Sequence, residues 1–106
     1  MSAAATENVL VVITSPPALE GQLVDWLLSK QGNGIGFSST PIHGHSTRHD
    51  HLSVAEQVIG RQRRVQFQVQ IAYDLLEAFL QRLRAEFGGA DLHYWVVPVL
   101  AAGQLD

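Results

Sequence analysis

The sequence predicts a single α+β domain in which four strands and two helices follow the order βαββαβ. Apolar segments of two kinds alternate along the chain. Some are β-branched or strictly alternating runs typical of strands, and others repeat apolar residues at helical spacing. The length of 106 residues suits one domain, and a hydrophobic fraction of 46% is typical of a folded protein.

The first half predicts a strand, a helix and a second strand. Val9–Ile13 is an unbroken apolar run, as expected for a central strand covered on both faces. Gly32 and Gly34 predict the end of the following helix. Phe37–Ile42 predicts a second strand, and Pro41 places it at a sheet edge. The apolar face of the helix consists of Leu19, Leu23, Trp26 and Leu27.

The second half repeats this order, as strand, helix and strand. In Val65–Ile71 apolar residues alternate with glutamines, which predicts a strand with one apolar face. Asp74 and Glu77 have the spacing of a capping box at a helix start. Leu92–Val97 predicts the last strand, with Pro98 ending its ladder. The apolar face of this second helix consists of Leu76, Phe79, Leu80, Leu83 and Phe87.

This order is the ferredoxin-like arrangement of two split βαβ units. Right-handed crossovers put both helices on one face of an antiparallel sheet and leave the other face uncovered. Because the first strand is apolar on both sides, we expect a homo-oligomer. The whole chain, 1–106, is one domain, with a flexible N-terminus at 1–7, an extended segment at 43–64 and a C-terminal tail at 98–106.

Composition excludes several classes of function. A formal net charge of −3 argues against nucleic-acid binding, which needs a basic face. Without cysteine there is neither a disulfide framework nor thiolate chemistry. The N-terminus has no signal-peptide pattern, and no apolar run approaches the ~20 residues of a membrane span. We therefore expect a cytoplasmic protein without direct membrane insertion.

Histidines concentrate at the start of the segment 43–64. His43, His45, His49 and His51 lie within nine residues, together with Asp50. In an extended chain residues two apart point to the same side, so each pair of histidines could face one ion. Imidazole suits Zn, Cu, Ni or Co, and a carboxylate could complete the site. The alternative is a solvated loop whose histidines have no joint role.

A short helical turn follows the histidines. Ser53 and Glu56 have capping-box spacing, and Gly60 can close the turn. Ser53, Glu56 and Gln57 are the candidate contacts with a partner protein.

Arginines mark the end of the segment. Arg61, Arg63 and Arg64 lead into the third strand, and Arg48 lies among the histidines. Guanidinium groups bind phosphate or carboxylate in forked geometry, so these four residues are candidates for binding an anionic effector. The alternative is a solubilising rim that pairs with nearby acids. Arg64, nearest the strand, is the one that best suits a structural role.

Catalysis lacks a comparable pattern. No serine has a recognisable base and orienting group, and no paired carboxylates share a strand end. The sequence therefore does not predict an enzyme, although a small-molecule enzyme of the ferredoxin-like α+β kind stays an alternative.

The predicted order, with a long segment between the second and third strands, resembles the PII signalling proteins. Three stretches, Gly44–His49, Leu52–Val58 and Gly60–Arg64, resemble a family of short PII-like bacterial proteins often encoded beside heavy-metal efflux transporters of the RND type. The resemblance implies a homotrimer whose segment 43–64 docks on a transporter or another protein. The chain departs from PII proteins at Phe87–Asp91, which lacks their glycine- and lysine-containing phosphate loop, and this argues against ATP binding of the PII kind.

The expected function is that of a PII-like homotrimeric regulator or sensor. The resemblance links it to heavy-metal efflux or homeostasis, with segment 43–64 acting on a partner. The principal alternative is a histidine-rich module that binds or buffers a divalent transition metal.

Overall fold

The computed structural model describes residues 7–30, 36–45 and 62–106, and gives them the predicted βαββαβ order. Each described helix follows a short 3-10 turn, at Pro17–Leu19 and at Tyr73–Leu75. The predicted α+β class is confirmed. The strands are β1 Asn8–Ser15, β2 Phe37–Gly44, β3 Gln62–Ala72 and β4 His93–Val99, and the helices are α1 Glu20–Lys30 and α2 Leu76–Phe87.

The strands form one antiparallel sheet in the order β2-β3-β1-β4. β1 lies at the centre, where Val11 is opposite Val69 of β3 and Val96 of β4. β2 is an edge strand, as Pro41 predicts, since proline can be accommodated there without losing a ladder hydrogen bond.

Both helices pack on the same face of this sheet. Alternate residues of β1 and β3 point to that face and form one core with the helices. Trp26 of α1 joins the two helices, because its ring centroid lies 5.7 Å from that of Phe79 and 5.7 Å from that of Phe87 in α2. The buried core is Val9, Val11, Ile13, Leu23, Trp26, Leu27, Val65, Phe67, Val69, Ile71, Phe79, Leu83 and Phe87.

None of the described helices covers the opposite face, and this open face divides into two halves. The apolar half lies on β1 and β4, and the polar half lies on β2 and β3. Trp95 and Val97 of the apolar half are 48% and 39% exposed in the single chain. β1 is therefore apolar on both sides, as predicted. The apolar half is Leu10, Val12, Trp95 and Val97, and the polar half is Ser38, Thr40, Gln66, Gln68 and Gln70.

The ladder between β2 and β3 extends further than the sequence predicts. His43 is opposite Arg63 and Gly44 is opposite Gln62, so the segment between the strands is 45–61 rather than 43–64. The polar character of these residues suggested a loop. Strand pairing uses backbone groups, however, and polar side chains do not prevent it where both faces of a two-stranded ribbon are open.

Two predicted boundaries are also wrong. β4 continues through Pro98 to Val99, so the tail begins at residue 100, because β4 is an edge strand that tolerates proline. No side chain caps α2, and Asp74 instead lies in the 3-10 turn before it, where the backbone N–H of Leu76 donates to the carbonyl of Tyr73. The predicted helix end at Gly32 and Gly34, the turn 53–59 and residues 1–6 lie outside the described residues.

Candidate functional site

Arg64 lies at the end of the sheet from which segment 45–61 departs, and its side chain is 5% exposed. Its Nη1 donates to Oδ2 of Asp91 at 2.9 Å. Its Nη2 donates to the carbonyl oxygen of Thr14 at 2.9 Å and lies 3.2 Å from the Thr14 hydroxyl oxygen. The same nitrogen reaches the carbonyl oxygen of Asp91 at 2.8 Å. One guanidinium thus ties the start of β3 to the end of β1 and to the turn before β4.

Asp91 holds both Arg64 and His93. Its backbone is left-handed, with φ of 64°, a conformation that aspartate tolerates better than most side chains. Oδ2 accepts from Arg64, while Oδ1 lies 3.0 Å from Nε2 of His93. The His93 side chain is 70% exposed, so the network runs from a buried arginine to the surface.

The electrostatics of this network favour the ionised carboxylate. Burial acts to raise the pKa of Asp91, but the hydrogen bond with His93 and the charge and hydrogen bond of Arg64 together outweigh it. The pKa of Asp91 therefore lies below its ordinary value of 3.8. The carboxylate stays charged and opposite Arg64 at neutral pH.

The four predicted anion-binding arginines do not share one environment. Both terminal nitrogens of Arg64 have partners within the chain, so an anion there would compete with Asp91. Arg63 points to the other face of the ribbon, where it is exposed and opposite His43. Arg48 and Arg61 lie outside the described residues.

Two of the predicted metal ligands are described. His43 lies near the end of β2, and His45 follows that strand; both are exposed. Within residues 7–30, 36–45 and 62–106, no group of three histidines or carboxylates is placed to hold a metal ion. The other predicted ligands and the partner-contact residues lie outside these ranges, namely His49, Asp50, His51, Ser53, Glu56 and Gln57.

The roles of Asp91 and Thr14 were not predicted from the sequence. Asp91 follows two glycines just before a strand, which marks a turn but not a partner. The signal that could have found it is the arginine itself. A guanidinium that is buried on a strand needs an acid, and Asp91 lies two residues before β4, which is next but one to β3 in the sheet.

Gly44 and Arg64 lie side by side at the base of segment 45–61. A Cβ built on Gly44 would be 3.4 Å from Cγ of Arg64, which is a close contact. The ladder anchors one end of segment 45–61, and the Arg64 network anchors the other.

Among the described helices, none is long and apolar enough to cross a membrane.

Comparison with known proteins gives a family and a fold. The sequence profile of a family described as protein of unknown function (DUF3240) matches residues 5–106. A search of curated proteins gave no significant match. A DUF3240 family protein from Shewanella baltica OS155 is 20% identical, with a TM-score of 0.76 over 96% of this chain and 100% of that one.

Two further solved structures share the fold at low identity. A PII-like signalling protein from Thermus thermophilus is 23% identical, with a TM-score of 0.62 over 89% of this chain and 88% of that one. CutA from Synechococcus elongatus PCC7942, complexed with Bis-Tris, is 18% identical, with a TM-score of 0.65 over 93% and 86%. These similarities establish the PII-like fold.

Proposed function

Because the chain belongs to the DUF3240 family and has a PII-like fold, we propose that it is a non-enzymatic, homo-oligomeric regulator that acts on a partner protein through segment 43–64. The observation that carries the proposal is the anchoring of both ends of its part between the strands, residues 45–61. The β2–β3 ladder continues to Gly44 and Gln62, and Arg64 fixes the start of β3. A segment held at a defined base can present its side chains to another protein in a reproducible position.

A second copy of the chain is the proposed cover for the apolar half of the open face. Trp95 and Val97 lie next to each other in alternation on an edge strand, and each leaves more than a third of its area exposed. Burial of such area contributes about 25 cal/mol per Å². A homotrimer is the assembly that the resemblance to PII proteins implies, and it would add to the modest core that a domain of this length can build.

The partner is proposed to belong to heavy-metal efflux or homeostasis, with a membrane transporter as the first candidate. The resemblance to the short PII-like bacterial proteins supports this assignment. Ser53, Glu56 and Gln57 are the proposed contact residues, while Arg48, Arg61 and Arg63 are proposed to bind an anionic effector. Arg64 would join them only by exchanging its Asp91 partner.

The test uses the purified full chain and a variant in which residues 46–60 are replaced by a short glycine-serine linker, which leaves the ladder intact. We expect native mass spectrometry to show the same trimer for both proteins. We expect binding to a purified heavy-metal efflux transporter of the RND type to be lost in the variant. A monomeric wild type, or equal transporter binding by both proteins, contradicts the proposal.

Binding of a divalent transition metal is a second candidate function, favoured by the two exposed histidines at the end of β2. His43 and His45 would act with His49, Asp50 and His51 on Zn, Cu, Ni or Co. Calorimetry would compare the wild type with a variant in which the four histidines are alanine, and with His93→Ala as a control outside the segment. We expect metal binding to be lost in the first variant and kept in the control. Equal, weak heats for all three proteins contradict it.

A further inference from the structure

A half-open cleft of about 260 Å³ lies between the C-terminal half of α2 and the edge strand β4. Its floor includes Ile13 of β1, which is fully buried, and its walls include Leu83 and Phe87 of α2 and Tyr94 of β4. Arg84 is the charged residue of its lining. The cleft is therefore mainly apolar with one cationic group, and it lies on the helix-covered side of the sheet.

Two glycines line one end of this cleft. Gly88 must be glycine because a Cβ there would lie 2.6 Å from the carbonyl oxygen of Arg84, which accepts a hydrogen bond from the Gly88 N–H at 2.8 Å. Gly89 has φ of 84°, and a Cβ there would meet nothing within 4 Å. The turn that ends α2 thus requires residues without side chains, and no side chain fills the space beside it.

Arg84 supplies a positive charge that the described chain does not neutralise. It is exposed, and its guanidinium forms no ion pair within residues 7–30, 36–45 and 62–106. The C-terminus of α2 contributes a partial negative charge of about half a unit, which disfavours an anion nearby. The full positive charge of Arg84 is larger, so the cleft attracts an anion.

Volume and charge together define the class of ligand. An apolar cavity of about 150 Å³ holds benzene, so this cleft has room for one aromatic ring and a short substituent. A guanidinium binds a carboxylate in forked geometry. We propose that the cleft binds a small aromatic monocarboxylate, with its ring between Leu80 and Tyr94 and its carboxylate on Arg84. A nucleoside triphosphate is too large for this volume and carries more charge than one arginine offsets.

This site is separate from segment 43–64, so ligand binding here can be tested independently of the proposed regulatory function. The probe is benzoate, which is titrated into the ¹⁵N-labelled full chain while the amide chemical shifts are recorded. Benzamide is the neutral counterpart of the same shape. We expect benzoate to shift the amides of residues 83–94 and to bind at least about tenfold more tightly than benzamide, the gain of one charge-assisted contact.

Three variants decide the assignment. Arg84→Gln should lower the benzoate affinity to that of benzamide, whereas Arg82→Gln, on the same helix but outside the cleft, should leave it unchanged. Leu80→Trp should fill the cleft and abolish the binding of both probes. The inference is overturned if benzoate shifts no amide of residues 83–94, if Arg84→Gln and Arg82→Gln behave alike, or if ATP produces the same shifts as benzoate.

Discussion

The two faces of the sheet show how one set of strands can serve two purposes. On the helix-covered face, β1 is apolar from Val9 to Ile13 and β3 from Val65 to Ile71, and Val11, Phe67 and Val69 are completely buried. On the open face the same strands differ from each other. β1 presents Leu10 and Val12, while β3 presents Gln68 and Gln70 at the opposite register positions.

The difference separates the residues that stabilise the fold from those that are available for association. Burial against the helices already removes the covered face from water within one chain. On the open face, the glutamines of β3 can hydrogen-bond to water, whereas Trp95 and Val97 gain free energy only by contact with another surface. Substitutions on the two faces should therefore affect different measurements.

The largest effect is expected from a cavity on the covered face. Phe67→Ala removes a fully buried ring that lies 6.5 Å from the ring of Phe37. We expect the free energy of unfolding to fall by about 3–5 kcal/mol. Urea unfolding followed by circular dichroism measures it. A loss below about 1 kcal/mol would show that the covered face contributes less than its burial indicates.

The next largest effect on the free energy of unfolding is expected at Arg64, and its neighbour Arg63, on the opposite side of β3, is the control. Arg64→Ala removes a buried guanidinium and leaves Asp91 without its main partner, so we expect a loss of about 2–3 kcal/mol. Arg63→Ala, at an exposed position, should change the free energy of unfolding by less than about 0.5 kcal/mol. Equal losses in the two variants would refute a structural role specific to Arg64.

A pH dependence should accompany the Arg64 network. The folded-state pKa of Asp91 is lower than its ordinary value of 3.8, so its contribution to stability is complete above that value and is lost as the pH falls through the folded pKa. Asp91→Asn keeps a side chain that tolerates positive φ but cannot ionise. We expect the stability difference between wild type and variant to be constant near neutral pH and to shrink below pH 3.8. A difference independent of pH would contradict the assignment.

The smallest effects on stability are expected on the open face. Val97→Ser on the apolar half and Gln68→Ser on the polar half should each change the unfolding free energy of the monomer by about 0.5 kcal/mol or less. Sedimentation velocity should nevertheless show weaker self-association for Val97→Ser alone. If both variants associate like the wild type, the apolar half is not the contact between copies.

The elements of this fold could be predicted because their signals are local. Alternation at Val65–Ile71 and helical spacing at Leu76–Phe87 each reflect one buried face, and the structure buries those faces. The Arg64 network could not be predicted in the same way. Its partners Thr14 and Asp91 are distant in sequence, and their approach depends on the strand order.

The candidate functional residues also divide into those with a local sequence signal and those without one. Clustering in sequence identified His43 and Arg63, which lie opposite each other at the base of the segment. The cleft beside Arg84 gave no such signal, because its lining comes from α2, β1, β4 and the turn between α2 and β4. A gap between elements is a property of their packing, and local patterns do not record it.

The strand order also has a consequence for synthesis on the ribosome. β1 is central and pairs with β3 and β4, the later strands of the chain. Its two apolar faces therefore stay exposed while the helices and the other strands are synthesised. Until β4 has left the exit tunnel, the edge of β1 that pairs with β4 is open. This apolar strand is then a target for chaperones and for neighbouring nascent copies on the same messenger RNA.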